Sequence, residues 1–238
     1  MTTIVTNGKF LISDRRLTQA ISHTSIAAGK AKNYSHEAYL DVAVKTCVPE
    51  NAYYFDKKVL AFAGAGGATF YNNFCAVTEL DRYKKTRLDL VSLMDILDGT
   101  PCPDNHTLAE IVMVLEDGTS AVFSLSGELR KGIYVYRSDI KTYKEDEIFV
   151  AGSGSQYWNT LNKAFLEDFK PTPYEVFLLC AHMDPFSSES YSAYSLEDNH
   201  FFVEVNPTDL DVSKALARFQ HSVQLWNPIR KPTSLRQL

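Results

Sequence analysis

Thr2-Thr3-Ile4-Val5-Thr6-Asn7-Gly8-Lys9-Phe10-Leu11-Ile12-Ser13-Asp14 places two short strand-like runs, Thr2 to Val5 and Lys9 to Ser13, around an Asn-Gly pair. β-Branched and aromatic residues suit an extended backbone, and Asn-Gly supplies the positive φ angles of a tight primed turn, so the stretch predicts a β-hairpin. The same pattern recurs further along. Tyr39 to Cys47 and Ala52 to Phe62 read as strands, with a turn at Asp56-Lys57-Lys58, while the polar stretch His23 to Glu37 reads as loop or helix. Ile111 to Leu115, Ser120 to Leu125 and Gly132 to Tyr136 form another set of strands, punctuated by Asp117-Gly118 and Gly127.

Helical patterns alternate with these hairpins. Ala63-Gly64-Ala65-Gly66-Gly67 closes a strand and opens a helical stretch at Ala68 to Lys85, followed by a second at Leu88 to Leu97 that stops at Gly99 and Pro101. A strand at Ile148 to Val150 runs into Gly152-Ser153-Gly154 and a helix at Gln156 to Phe169. Pro171-Thr172-Pro173 resets the chain for a helix at Tyr174 to His182. After a Ser-rich polar segment come a strand at Phe201 to Val205 and a helix at Asp209 to Gln224, with Val212, Ala215, Leu216, Phe219 and Val223 on one face. Short hairpin connections exclude an all-parallel sheet. Two antiparallel sheets packed face to face, with helices over each outer face, satisfy this order: an α+β four-layer sandwich. No linker or shift in composition divides the chain, so residues 1–226 read as one domain followed by a fraying tail over 227–238.

Composition narrows the function classes. The 238 residues, 45% apolar and 22% charged, suffice for a full core. The 24 Lys+Arg against 29 Asp+Glu give a net charge of −5, which speaks against nucleic-acid binding. The longest near-apolar run, Val59 to Phe70, is interrupted by three glycines and is too short to span a bilayer, so no membrane association is expected. Met1-Thr2-Thr3-Ile4-Val5 has neither a basic nor an apolar leader region, which makes the cytoplasm the expected compartment. Cys47, Cys75, Cys102 and Cys180 lack metal-binding spacing and read as reduced thiols, and neither a metal nor a cofactor is expected.

Familiar catalytic signatures are missing: no GxSxG, HExxH or GxxxxGK[ST] occurs, and the six histidines are scattered. The remaining candidate is Thr2. A small residue after Met1 permits removal of the initiator methionine, which leaves a free α-amine on a residue that also carries a hydroxyl. An α-amine titrates near ~8, close enough to neutrality to act as a general base. Threonine with its own terminal amine is a recognised activated nucleophile. Met-Thr is a common start, so the argument needs the rest of the chain.

Thr2-Thr3-Ile4-Val5, Asp14-Arg15-Arg16-Leu17-Thr18, a lysine upstream of Phe62-Ala63-Gly64, Gly152-Ser153-Gly154 and Asp184-Pro185-Phe186-Ser187 follow one another with suitable gaps. Together they resemble the N-terminal-nucleophile (Ntn) threonine peptidases of the proteasome β-subunit and HslV family. The likeness runs from Thr2 to about Ser187, and the family's αββα sandwich agrees with the architecture above. It implies that Thr2 supplies the nucleophilic Oγ and, once Met1 is removed, the amine base. Asp14 would be a buried acid paired with a lysine whose positive field favours the deprotonated hydroxyl and the neutral amine. Lys45, ending the run Leu40 to Val44, is the first choice, with Lys30 and Lys32 as competitors.

Arg16 and Thr18 fit the same motif, and the Thr18 backbone would pair with an extended peptide. Gly64 or Gly66 would donate an oxyanion-hole N–H, and Phe62 would line the pocket for the substrate's first side chain. Ser153 would orient the α-amine and relay its proton, with Asp184 and Ser187 holding it in place. Here the chain departs from the family, which has glycines where Ser188-Glu189-Ser190-Tyr191 follow. The resemblance further implies a peptide or unfolded-protein substrate, a closed homo-oligomeric ring and an ATPase partner. Two other readings stay open: a non-catalytic ring subunit or binding module of the same fold, and an Ntn amidohydrolase acting on a small amide.

Overall fold

The computed structural model describes residues 2–27, 30–41, 43–66, 74–75, 87–102, 109–163 and 170–226. Strands β1 (Thr3–Thr6), β2 (Phe10–Asp14), β3 (Arg16–Ala27), β4 (Lys30–Asp41), β5 (Thr46–Cys47), β6 (Ala52–Tyr54), β7 (Lys57–Gly66) and β8 (Leu88–Asp89) precede helix α1 (Leu90–Leu97). Strands β9 (Ala109–Leu115), β10 (Ser120–Arg130), β11 (Ile133–Tyr143) and β12 (Phe149–Gly152) lead to helices α2 (Ser155–Leu161) and α3 (Pro173–Met183). Strands β13 (Tyr191–Ser195) and β14 (His200–Val205) and helix α4 (Asp209–Trp226) complete the described chain.

The opening hairpin forms around Gly8, which is left-handed at φ 82°, and Asn7 Oδ1 accepts hydrogen bonds from Lys9 N and Phe10 N. The Asn side chain thereby helps to close the loop. Gly8 is also demanded by space, since a Cβ there would lie 1.9 Å from the Gly118 carbonyl oxygen.

The architecture is α+β with two principal sheets. A five-stranded sheet runs β12-β1-β2-β13-β14, and a seven-stranded sheet runs β11-β10-β9-β7-β6-β8 with β5 also on β7. Ile4 and Leu11 of the first sheet meet Ala61, Ala63, Val112 and Val114 of the second in one apolar cluster. Val5 and Ile12, on the other face of the first sheet, pack with Val176, Phe177 and Cys180 of α3 and with Val212 of α4. On the far face of the second sheet, Phe62, Ile111 and Phe123 pack with Leu90 and Met94 of α1. Period-2 alternation along β1, β7 and β9 thus distributes each strand between two cores. Among the described residues, no helix is long and apolar enough to cross a membrane.

Several expectations are corrected. Of the stretch His23 to Glu37, the described residues 23–27 and 30–37 are neither loop nor helix: they lie in a two-stranded ribbon, β3 against β4, paired from Arg16 opposite Asp41 to Ala27 opposite Lys30. Backbone pairing between two 12-residue strands outweighs their polar composition. Tyr191 to Ser195, within the Ser-rich segment, is a strand. Its buried Ser192 bonds to Ser13 at 3.1 Å, and Ser13 bonds to Thr46 at 2.8 Å, so hydroxyls satisfy one another where hydropathy signals no core. β10 runs through Gly127 to Arg130, and β11 continues through a polar stretch to Tyr143. The turn falls instead at Lys131-Gly132, both left-handed. The expected helix at 68–85 and the end of that at 156–169 fall largely outside the described residues, as does the tail 227–238.

Candidate active site

Thr2 immediately precedes β1, and Asp14 ends β2, its hairpin partner. Antiparallel register puts Ile4 opposite Ser13, so the two termini lie side by side. Asp14 is fully buried and satisfied from four directions. It accepts from Thr3 N at 2.9 Å, from Arg16 N at 3.0 Å, and from Lys45 Nζ at 3.0 and 3.1 Å. Burial pushes its pKa above the ordinary carboxylate value, while the Lys45 charge and hydrogen bond, then the Thr3 and Arg16 amides, pull it back.

The choice among lysines is resolved by the backbone. Ala43 N donates to Arg15 O at 2.9 Å, and Thr46 pairs with Ala63, so residues 43–46 pass directly beside Asp14. Lys45 Nζ donates to Thr2 Oγ1 at 2.8 Å. Its three donors are therefore divided among the nucleophile candidate and the two Asp14 oxygens. Lys32 lies opposite Ser25, nine strand positions along the ribbon from Arg16, or about 30 Å at ~3.3 Å per residue. Lys30 is farther still.

A second set of groups holds the Thr2 nitrogen. Thr2 N donates to Ser153 Oγ at 3.1 Å, and Ser153 Oγ donates to Asp184 Oδ2 at 2.5 Å. Ser187 Oγ also donates to Asp184 Oδ2, at 2.7 Å. Because the single Ser187 proton is committed there, Thr3 Oγ1, 2.7 Å away, donates to Ser187. Asp184 caps the C-terminus of α3, and Ser153 sits between β12 and α2. With Met1 attached, the Thr2 nitrogen is an amide that can only donate. Removing Met1 would give the same position a lone pair.

Two glycines let Ser153 come this close. Gly152 has φ 75°, and a Cβ on it would lie 2.0 Å from the Thr2 carbonyl oxygen. A Cβ on Gly154 would lie 2.3 Å from Thr3 Oγ1. The segment Ser188-Glu189-Ser190-Tyr191 is tied down through Ser188, whose Oγ accepts from Arg15 N at 3.2 Å and donates to Ser190 O at 2.9 Å. Arg16 donates to the Pro185 carbonyl at 3.1 Å.

Of the two candidate oxyanion glycines, Gly64 N donates to Lys45 O at 3.3 Å and is committed to the sheet. Amide directions alternate along a strand, so Gly66 N–H faces the same edge as that of Gly64, beyond the end of β5. Gly66, with φ 95°, lines a cleft of about 330 Å³ with Thr2, Ala65, Glu110, Gly152 and Ser153. Phe62 is not on this cleft. Alternation places it on the opposite face of β7 from Ala61, Ala63 and Ala65, fully buried and edge-on to Phe74 at 5.1 Å. Thr18 pairs with Tyr39 in the ribbon, and its side chain lies outside the described residues.

Thr3 and Glu110 belong to the neighbourhood and were missed. Glu110 Oε2 accepts from Gly152 N at 3.0 Å. A lone carboxylate inside the apolar run Ala109 to Leu115 was the signal that could have found it. Cys180 is no rival nucleophile: burial, with Asp184 nearby, pushes its thiol up to about 12. No protein-family model matches the sequence, and no curated protein matches it.

Proposed function

We propose that the chain is a threonine-type peptidase of the N-terminal-nucleophile class, related to proteasome β-subunits and HslV and sharing their αββα sandwich. The observation that carries this reading is the contact of Lys45 Nζ with Thr2 Oγ1 at 2.8 Å, backed by the buried Asp14 carboxylate. A charged donor on a hydroxyl oxygen favours the alkoxide-like state that attack requires. The same constellation supports a catalytic chain over a non-catalytic ring subunit, which has no use for a lysine aimed at Thr2.

Once Met1 is removed, the α-amine takes the Thr2 Oγ proton as Oγ bonds to the peptide carbonyl carbon. The carbonyl π pair moves onto oxygen, opposite the Gly66 amide. Collapse breaks the C–N bond, and the leaving nitrogen receives the proton from the α-ammonium, which Ser153 and Asp184 hold in place. Water then attacks the ester, gives its proton to the amine, and the second collapse releases the acid and restores the Oγ–H. The substrate is a peptide or unfolded protein, the setting is the cytoplasm, and the assembly is a homo-oligomeric ring served by an ATPase.

Intact mass spectrometry after treatment with a threonine-directed peptide electrophile tests the proposal. Chains lacking Met1 should gain one adduct on Thr2, while Thr2→Ala and chains that keep Met1 should gain none. Equal labelling of Thr2→Ala would falsify the assignment. Light scattering tests the ring, with a monomer at micromolar concentration as the contrary result.

A further inference from the structure

We propose that Glu110 makes the leaving-group side of the Thr2 cleft select a cationic side chain, an arginine or lysine following the scissile bond. This rests on the peptidase reading above and adds a specificity to it. The leaving nitrogen must accept its proton from the Thr2 nitrogen, so the departing half of the substrate lies on the side of that nitrogen and of Ser153. Ser153 bonds to that nitrogen, and Glu110 and Ser155, which line the same cleft, are hydrogen-bonded to the adjoining Gly152. The Gly152 amide occupies one acceptor position of the Glu110 carboxylate, which offers about four. Among the described residues no Lys, Arg or His is ion-paired with Glu110.

Glu110 and Ser155 also border a second cleft, of about 360 Å³, whose walls include Tyr143, Phe149 and Trp158. The Tyr143 and Phe149 rings lie 4.6 Å apart. Burial raises the Tyr143 pKa, reinforced by Glu147 and Glu110, so its ring is a neutral phenol. The two clefts therefore meet at a carboxylate with aromatic faces behind it. Aromatic faces attract guanidinium and ammonium groups and cover their aliphatic stems, while the carboxylate takes the charge. An acidic side chain at the same place would face Glu110 with no cation between them.

Peptides found to be cleaved in a mixed digest provide the test. In one such peptide the residue after the scissile bond is set to Arg, Gln or Glu, and kcat/KM is measured for the wild-type chain and for Glu110→Gln. Glutamine retains an oxygen for the Gly152 amide. The wild type should follow the order Arg, Gln, Glu, with about a tenfold preference for Arg over Gln. That ratio should fall towards one in Glu110→Gln and should shrink for the wild type as salt is raised. Equal rates for Arg and Gln in the wild type overturn this inference and leave the peptidase reading intact. The wild-type series decides the matter even if Glu110→Gln fails to fold. Absence of cleavage, together with absence of Thr2 labelling, overturns the peptidase reading and this inference with it.

Discussion

Replacing Lys45 with methionine removes the ammonium that neutralises Asp14 while keeping much of the side-chain volume. Asp14 has a side-chain exposure of 0% and Lys45 of 10%, so this is a buried pair with one partner deleted. Such deletions cost about 3–5 kcal/mol, far more than the loss of a surface ion pair. For a chain of this size that is a fall in Tm of roughly 6–20 °C. The cost must depend on pH. Burial already raises the Asp14 pKa, and Lys45 is the largest influence holding it down, so the variant's carboxyl climbs further. Between the unfolded value of about 3.9 and the higher folded value, the folded state binds a proton that the unfolded state does not, and stability falls by about 1.4 kcal/mol per unit rise in pH. Urea melts of wild type and Lys45→Met across mildly acidic to mildly basic pH should therefore diverge as pH rises. Adding Asp14→Asn to the variant removes the orphaned charge and should recover much of the loss at pH 8. Parallel stability curves, or a double variant as unstable as the two singles summed, would refute the reasoning.

Gly152→Ala should lose at least the roughly 1–3 kcal/mol of a left-handed non-glycine residue, with the Cβ contact to the Thr2 carbonyl added to it. A thermal melt that matches wild type would show that β1 and β12 need no such close approach. Ser153→Ala should slow labelling of Thr2 by about 10²-fold, because the nitrogen loses its partner and Asp184 loses a donor. Single-turnover kinetics read this directly, and an unchanged rate would remove Ser153 from the relay. Cys180, with its thiol raised to about 12, should ignore thiol reagents at pH 8 in the folded chain, so Cys180→Ala should leave the native thiol titre unchanged.

How far the sequence was legible depends on the kind of signal. The hairpin around Asn7-Gly8 and helices α3 and α4 were readable because turn chemistry and apolar spacing are local. Strands β3, β4 and β13 were not, since their pairing is carried by backbone bonds and small hydroxyls that leave no hydropathy pattern. Thr2, Asp14, Ser153, Asp184 and Ser187, which motifs singled out, lie together in one hydrogen-bonded cluster. The lysine was undecided because sequence distance from Gly64 says nothing of whether residues 43–46 turn back to Arg15. Phe62 was misplaced because the parity of β7 decides its face, and parity is visible only once the neighbouring alanines are known to be inward. Glu110 carries no motif, only an anomalous charge in an apolar strand.

The cluster around Thr2 joins residues far apart in the chain: Thr2 and Ser153 are 151 residues apart, and Thr3 and Ser187 are 184 apart. During synthesis the groups that grip the Thr2 nitrogen leave the ribosome more than a hundred residues after Thr2 itself. Closing loops of that length costs more chain entropy than pairing the local hairpins, so these long-range contacts are expected to form after them. A nascent or half-folded chain therefore carries its hydroxyl without the amine partner and the acid behind it. On the peptidase reading proposed above, the Thr2 cluster would assemble late in folding, a period of built-in latency that requires no separate inhibitor.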